Sequence, residues 1–543
     1  MGRKFRSGAA PGQAMLMPAD PREWLPPGHL AWRVLEMAAG MDLSRFGARY
    51  RPDGQGGRPY DPAMMAALLL YCYCRGRRSS REIEMATSGD VGARIICGGL
   101  HPDHSTVAEF VRQNLGAVLA LLPESVKACA AEGLVSLELV AGDGTKLKAN
   151  AAMAANLTRE QLDAQISELE AWIDAGFRQW AQGILDAEGI TAPAGAGAAS
   201  RDGGGPGDGS DGGGNRKWKK KPGRAAQMLE RRLAARARLD GLQDKDQGKL
   251  DARIAELAAR IERKEAAVRK WEKAAAGRLE ARARKTAAGQ RISGRRPIAS
   301  AGEDRDVKRA RQALDKTRAA WQAACREAAA PAADPKAKVN PTDPSSLVMP
   351  LKKGGFDQLH NVQALATART QVILAITRHP SPADVQALEA LLAEARRVLD
   401  QAGINDQILK ALFDAGYASD ANFTLDIPAM LYIAVTREAR QTGRSADGRA
   451  PDTMLPSWQE MAARLATQEG KQLYRQRAAT IEPVFAQLTA RLGRTLNYRG
   501  NLVDAELALW AASHNILKAI TARARRLARQ ARTASTAPAP AAA

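Results

Sequence analysis

A run of strand character near residue 134 breaks off and is not resumed until residue 355, with charged, helix-favouring sequence between. Residues 134–140 (LVSLELV) have the length and apolar enrichment of a strand and lead into Ala141-Gly142-Asp143-Gly144. Strand signals return at 355–367 and 371–377, whose short separation predicts a β-hairpin. They recur in a run ending at Phe413-Asp414 and in 430–435 (MLYIAV). Any sheet must be assembled from distant parts of the chain, which predicts an α/β core over 131–520 interrupted by a large helical insertion at 157–340.

Within the insertion, Leu250, Ile254, Leu257, Ile261, Val268 and Trp271 follow alternating three and four steps, with Lys264 in one inward slot. This predicts an antiparallel helical hairpin or short coiled coil, reached across a Gly-rich linker at 202–215. Its basic residues, 216–221 among them, suit either a DNA-embracing surface or a solvated charged face. Residues 1–23 are expected to be flexible, and 24–130 to form an all-α domain of short helices. One helix follows Asp61-Pro62, one is launched by Ser79-Ser80 with Glu82 behind, and one is capped by Ser105 with Val107, Phe110 and Val111 inward. Arg75, Arg77, Arg78 and Arg81 gather at one junction, which fits a helix-turn-helix-like DNA-binding module or a plain bundle with a basic corner. After 457 the chain reads as helical, and 521–543 as a basic and then disordered tail.

A net charge of +21 calls for a polyanionic partner: DNA, RNA or an acidic membrane. The longest apolar stretch, 63–74, is about a dozen residues, short of the roughly 20 that span a bilayer. Nothing at the N-terminus resembles a signal peptide, so the expected location is the cytoplasm, at the nucleoid, with no membrane partner. The five cysteines form neither a disulfide framework nor a CxxC knuckle.

Cutting a phosphodiester without a covalent intermediate calls for carboxylates from separate elements converging on hard divalent cations. Asp143 and Asp414 after strand-like runs and Glu482 on a later helix supply such a set, although Asp-Gly and Asp-Ala-Gly also suit ordinary strand-ending turns. Thr480 reads as the cap of a helix with Pro483 in its first turn and Ile481, Val484, Phe485 and Leu488 as its buried stripe. Glu482 then lies off that stripe, where a helix-dipole role is an alternative. Asp384, after HPSPA, reads as a helix cap, and His514-Asn515 as packing.

Several segments in order carry a resemblance to a known family: YDPAMMAALLLYCYCRGRRSSREIE and DHSTVAEFVRQN within 58–114, VAGDGTKLKANA at 140–151, DPSSLVMPLKKGGFDQLHNVQALA at 343–366 with Asn361 and Gln363 as an N-x-Q pair, FDAGYASDAN at 413–422, and YRQRAATIEPVF at 474–485. Together they resemble DDE-type bacterial insertion-sequence transposases with an N-terminal helical domain and a retroviral-integrase-like, RNase H-like catalytic core. The resemblance implies that Asp143, Asp414 and Glu482 bind two Mg2+ (or Mn2+) ions. It implies Tyr474 and Arg477 as contacts to DNA ends, although Arg477 stands one residue farther from Glu482 than in the family's signature. Thr489 occupies the slot of the family's lysine, whose DNA contact would fall to Arg491 or Arg494. The implied activity is cleavage at terminal inverted repeats followed by strand transfer into target DNA, by a homodimer on DNA ends. A nuclease without strand transfer and a non-catalytic DNA-binding protein are the alternatives.

Overall fold

The structure is a computed structural model that describes residues 20–48, 59–187, 222–288, 300–329, 337–351, 354–435 and 456–535. The linker at 202–215, the basic residues 216–221, residues 1–19 and the end of the chain beyond 535 lie outside these. Internal contacts divide the chain into two units, Met1–Met153 with Ser345–Ala543, and Ala154–Pro344.

The first unit begins with short helices: α1 (Leu30–Ala39), α2 (Ser44–Gly47), α3 (Pro62–Cys74), α4 (Ser80–Gly89), α5 (Val91–Ile96), α6 (His104–Gln113), α7 (Leu115–Leu119) and α8 (Leu121–Ala131). Their starts follow local chemistry. Asp61 accepts the amide of Ala63 with Pro62 in the first turn of α3, and Ser79 and Glu82 form a reciprocal capping box on α4. The cap of α6 is Asp103, not Ser105, because its carboxylate reaches the amide of Thr106 at 2.8 Å. Val107, Phe110 and Val111 are buried as the spacing predicts.

The sheet comprises β1 (Val140–Lys148), β2 (Leu347–Pro350), β3 (Phe356–Thr367), β4 (Ile373–His379), β5 (Lys410–Phe413) and β6 (Met430–Ile433). Its order is β2-β3-β1-β5-β6, with β4 also on β3. β3 runs antiparallel to β1, β2 and β4, whereas β5 is parallel to β1 and β6. The predicted hairpin is therefore β3–β4. One expectation shifts: residues 134–139 form no strand, and β1 runs through Asp143 rather than ending before it.

Further helices are α12 (Leu388–Gln401), α13 (Asp420–Phe423), α14 (Pro456–Ala466), α15 (Gln468–Leu492) and α16 (Leu502–Ser535); α9 to α11 belong to the second unit. The N-terminal helices, the sheet and α16 share one hydrophobic core. The region read as a basic tail is, to Ser535, a continuation of α16. His514 and Asn515 serve packing, as expected. The Asn515 side chain accepts from the Ile373 amide and donates to the Ile373 carbonyl, both at 2.9 Å, so it treats β4 as a neighbouring strand would. His514 Nε2 donates to the Gln371 carbonyl at 2.9 Å.

Burial pushes the His514 imidazole down to about 3. Its unfolded counterpart protonates near 6.5, so as pH falls from 6.5 toward 3 the unfolded chain takes up a proton that the native state refuses, and stability is lost. Between neutral pH and about pH 4.5 this should cost on the order of 2–3 kcal/mol. His514→Gln, which keeps a donor for Gln371, should show less loss of urea-denaturation midpoint over the same interval; an equal loss would place the acid lability elsewhere.

In the second unit, α9 (Arg159–Ala187), α10 (Pro222–Ala287) and α11 (Arg305–Ala329) make the predicted helical pairing. α10 packs on α9 around Leu162, Ala235 and Leu239. Lys264 fills its inward slot usefully, since its ammonium donates to the Ala313 carbonyl at 2.8 Å and to Thr317 Oγ1 at 2.7 Å on α11. Arg311–Glu272 and Arg318–Glu265, each 2.6 Å, tie the same pair of helices, while Trp271 is exposed rather than buried.

Candidate active site

Asp143 sits mid-strand on β1, opposite Ala364, and Gly144 sits opposite Gln363. Alternation along a strand turns successive residues to opposite faces. A side chain at 144 would place its Cβ 2.5 Å from Gln363 Nε2 and 3.0 Å from Asp384 Oδ1, so it would have to push this hydrogen-bonded pair aside. The Asp-Gly pair therefore reflects crowding around a carboxylate, not a strand-ending turn. Asp143 Oδ1 accepts the Gly144 amide at 2.8 Å, and Oδ2 accepts Arg477 Nη1 at 3.1 Å.

Asp414 follows β5 directly and accepts the Gly416 amide at 2.9 Å, which starts a single 3-10 turn at Ala415–Tyr417. A Cβ at 416 would stand 2.9 Å from Asp414 Oδ1 and 3.4 Å from Asp384 Oδ2, which makes these two carboxylates neighbours. Asp384 was read as a helix cap, and the structure corrects this. α12 starts four residues later without a side-chain cap, and Asp384 Oδ1 instead accepts Asn361 Nδ2 at 2.9 Å and Gln363 Nε2 at 2.7 Å. Tyr417 Oη donates to Gln363 Oε1, and Asn422 Nδ2 holds the carbonyls of both Val385 (2.7 Å) and Tyr417 (2.6 Å). The N-x-Q pair thus spends its amides on one carboxylate and locks the Asp384 loop to the Asp414 turn. The sequence did contain a signal for Asp384: two amide side chains two residues apart on a buried strand must find partners.

Glu482 comes from α15, but not from a helix start. α15 begins at Gln468 under a Thr467 cap, and Pro483 lies inside it. Proline has no amide for the Ala479 carbonyl one turn back; Gln371, a non-glycine residue at φ +57°, donates Nε2 to that carbonyl at 3.2 Å instead. Thr480 is buried and bonds back to Gln476 within the helix. Ile481, Val484 and Leu488 form the buried stripe, with Phe485 partly buried, and Glu482 faces outward.

Arg477 joins the acids. Only 6% exposed, it lies 3.1 Å from Asp143 and 3.9 Å from Glu482. Burial opposes its charge, yet Asp143, then Tyr474 and Asp414, hold its pKa above the ordinary arginine value. Burial pushes the Asp143 carboxyl up and Asp414 adds to this, against the pull of Arg477. Burial, then Asp384, Asp143 and Asp414, push the Tyr417 phenol well up, so it remains a hydrogen-bond donor. Among the described residues no three acidic, histidine or cysteine side chains are gathered in a metal-holding group, and the Arg477 guanidinium contacts both Asp143 and Glu482. The oxygen-only donor set nevertheless suits a hard divalent cation, and two mutually repelling carboxylates are what such a charge relieves.

The other predicted DNA contacts lie apart from this cluster. Arg78 is a structural cation: it reaches the Thr495 carbonyl at 2.6 Å and the fully buried Glu506 at 3.2 Å, and it lies 5.5 Å over the Trp510 ring. Arg77 and Arg75 pair with Asp90 at 2.9 and 3.9 Å. Arg81 is exposed. Arg491 is partly buried against Ser513, and Arg494 is exposed where its carbonyl accepts the Lys148 amide at the end of β1.

A family model described as a Transposase domain (DUF772) matches residues 19–113, and one described as a Transposase DDE domain matches residues 449–520. Two stretches of the chain, one near each end, thus match transposase family models. The DDE-domain match contains Tyr474, Arg477, Glu482, Arg491 and Arg494, and the N-terminal match contains the arginines of the 75–81 junction; Asp143 and Asp414 lie outside both. No curated protein and no solved structure matches the chain. The two transposase domains indicate a transposase, an enzyme acting on DNA with a general dependence on divalent metal. Among the described residues no helix is long and apolar enough to cross a membrane.

Proposed function

We propose that this chain cuts DNA at the ends of an insertion sequence and joins the freed 3′-hydroxyls to target DNA, using Asp143, Asp414 and Glu482 in an RNase H-like core. One observation carries the reading: a single guanidinium, Arg477, holds acids from β1 and α15, while Asp414 beyond β5 acts electrostatically on both Arg477 and Asp143. The sheet supports it, because β1 stands between an antiparallel β3–β4 pair and a parallel β5–β6 pair, with Asp143 on β1 and Asp414 just past the end of the adjacent β5.

Asp143, Asp414 and Glu482 would hold Mg2+ or Mn2+, two ions in the full site, which supply Lewis acidity at the phosphoryl oxygens and a nucleophile at neutral pH. Arg477 offsets the negative charge of the acids when no cation is present and stays beside Asp143 as the scissile phosphate arrives. Asp384 is a positioning residue that fixes the Asp414 turn through Asn361, Gln363 and Tyr417. Tyr474, Arg494 and Arg81 contact DNA, and a homodimer brings two ends together.

The test is to supply the protein with Mg2+ and duplexes carrying the inverted repeats that flank its coding region. Cleavage at the repeat end, together with joining of a pre-cut 3′-hydroxyl end to a second duplex, is expected. Cleavage without joining would leave a nuclease, and neither activity a DNA-binding protein only.

A further inference from the structure

The arginine-rich end of α16 divides by face. Arg523 pairs with Glu36 at 3.0 Å and Arg526 with Glu132 at 2.9 Å, so these two serve packing against the N-terminal helices. Lys518 and Arg525, two helical turns apart on one face, instead line a cavity of about 780 Å3. Arg369 beside the β3–β4 turn and Gln487 and Arg491 from α15 line it too, and among the described residues no carboxylate does. Arg491 bonds Ser513 Oγ at 3.3 Å while its buried Nε has no hydrogen-bond partner, and Lys518 reaches only the amide oxygen of Gln371, at 3.4 Å. Burial lowers the pKa of both. Arg369 and Arg525 are exposed, but Arg491 and Lys518 are partly buried with no acid among the described lining residues, and a buried cation without a counter-charge is costly unless an anion joins it.

We infer that this cavity is a phosphate site that takes a backbone phosphodiester of DNA, at a distance from the carboxylates. The inference rests on the reading of the chain as an enzyme acting on DNA. Gln487 and Arg491 follow Glu482 on α15 by five and nine residues, or about 8–14 Å along the helix axis. At about 100° per residue they lie roughly 140–180° round the helix from Glu482, so the site would hold a stretch of DNA other than the one passing that carboxylate. The clustered charge, with no acid among the described lining residues, fits a DNA backbone crossing a face of α15 other than that of Glu482 better than a small free anion.

The experiment measures affinity for a random-sequence duplex over a range of salt, with full-length protein and no divalent metal. Lys518→Gln and Arg525→Gln should each reduce the slope of log affinity against log salt by about one. Arg525 is exposed, so that variant puts the fold at little risk. Arg397→Gln, whose charge Glu394 already matches at 2.5 Å, should leave the slope unchanged. Unchanged slopes in both test variants would overturn the site. A second arm follows thermal denaturation in inorganic phosphate: stabilisation that Lys518→Gln abolishes, with no change in salt slope, would show a free-anion site and overturn the DNA assignment. Failure of the catalytic reading would appear in cleavage assays with Mg2+ and not in these metal-free slopes.

Discussion

Replacing Asp143 or Asp414 by asparagine is expected to slow strand cleavage by about a thousandfold or more, roughly 4 kcal/mol of transition-state stabilisation, while affinity for DNA changes little. Asparagine keeps the shape of either side chain and the acceptor for the Gly144 or Gly416 amide. What it removes is the charge that draws a divalent cation to the space between β1 and β5. Glu482→Gln should act in the same direction, and since Glu482 is exposed its loss should leave stability almost untouched. Cleavage by gel assay and binding by anisotropy separate the two effects. A variant at Asp143 that still cuts at the wild-type rate would remove it from the chemistry.

Arg477→Gln is expected to behave in the opposite sense with respect to metal. The wild-type guanidinium is buried beside Asp143, and taking one partner from a buried pair costs about 3 kcal/mol or more, because the remaining charge is left uncompensated. The metal-free variant should therefore melt well below the wild type. Divalent cation restores positive charge to the same carboxylates, so Mn2+ or Mg2+ should raise the melting temperature of the variant by more than it raises that of the wild type. Burial and Asp414 already hold the Asp143 carboxyl above its ordinary range. Protons thus compete for it at higher pH than for an exposed aspartate, and the metal-induced shift should shrink as pH falls through that raised range. A destabilised variant that cations do not rescue would show that Arg477 serves packing alone.

Local chemistry in the sequence carried the parts of the fold that local chemistry decides. The Asp61 cap before Pro62, the Ser79–Glu82 box, the β3–β4 hairpin and the strand ending at Phe413 are each set by a few consecutive residues. The inward Lys264 of α10 was legible too, since it falls on an otherwise apolar repeat. Errors arose where a distant residue decides. The run at 134–139 is apolar enough for a strand, but the ladder with β3 begins at Val140. Pro483 reads as a helix start by itself, whereas the side chain of Gln371, from the turn between two strands, takes up the carbonyl it leaves unbonded. In sequence Asp384 reads as a helix cap and Asp143 as a metal ligand or a strand-ending turn acid, and only the amides of Asn361 and Gln363, placed by the register of β3 on β1, show that Asp384 is bonded at the site. Arg78 belongs to the same class: a basic junction in sequence gives no sign that Glu506 waits more than four hundred residues away, buried and able to neutralise it.

The central claim is that acids from β1, the end of β5 and α15 form one cation-binding centre. Anomalous diffraction from crystals grown with Mn2+ addresses it most directly. Manganese bound by the carboxylates of Asp143 and Asp414 is expected, with Glu482 drawn in and the Arg477 guanidinium released from Glu482 but still beside Asp143. Manganese absent from this centre at saturating concentration, or bound only elsewhere on the protein, would contradict it.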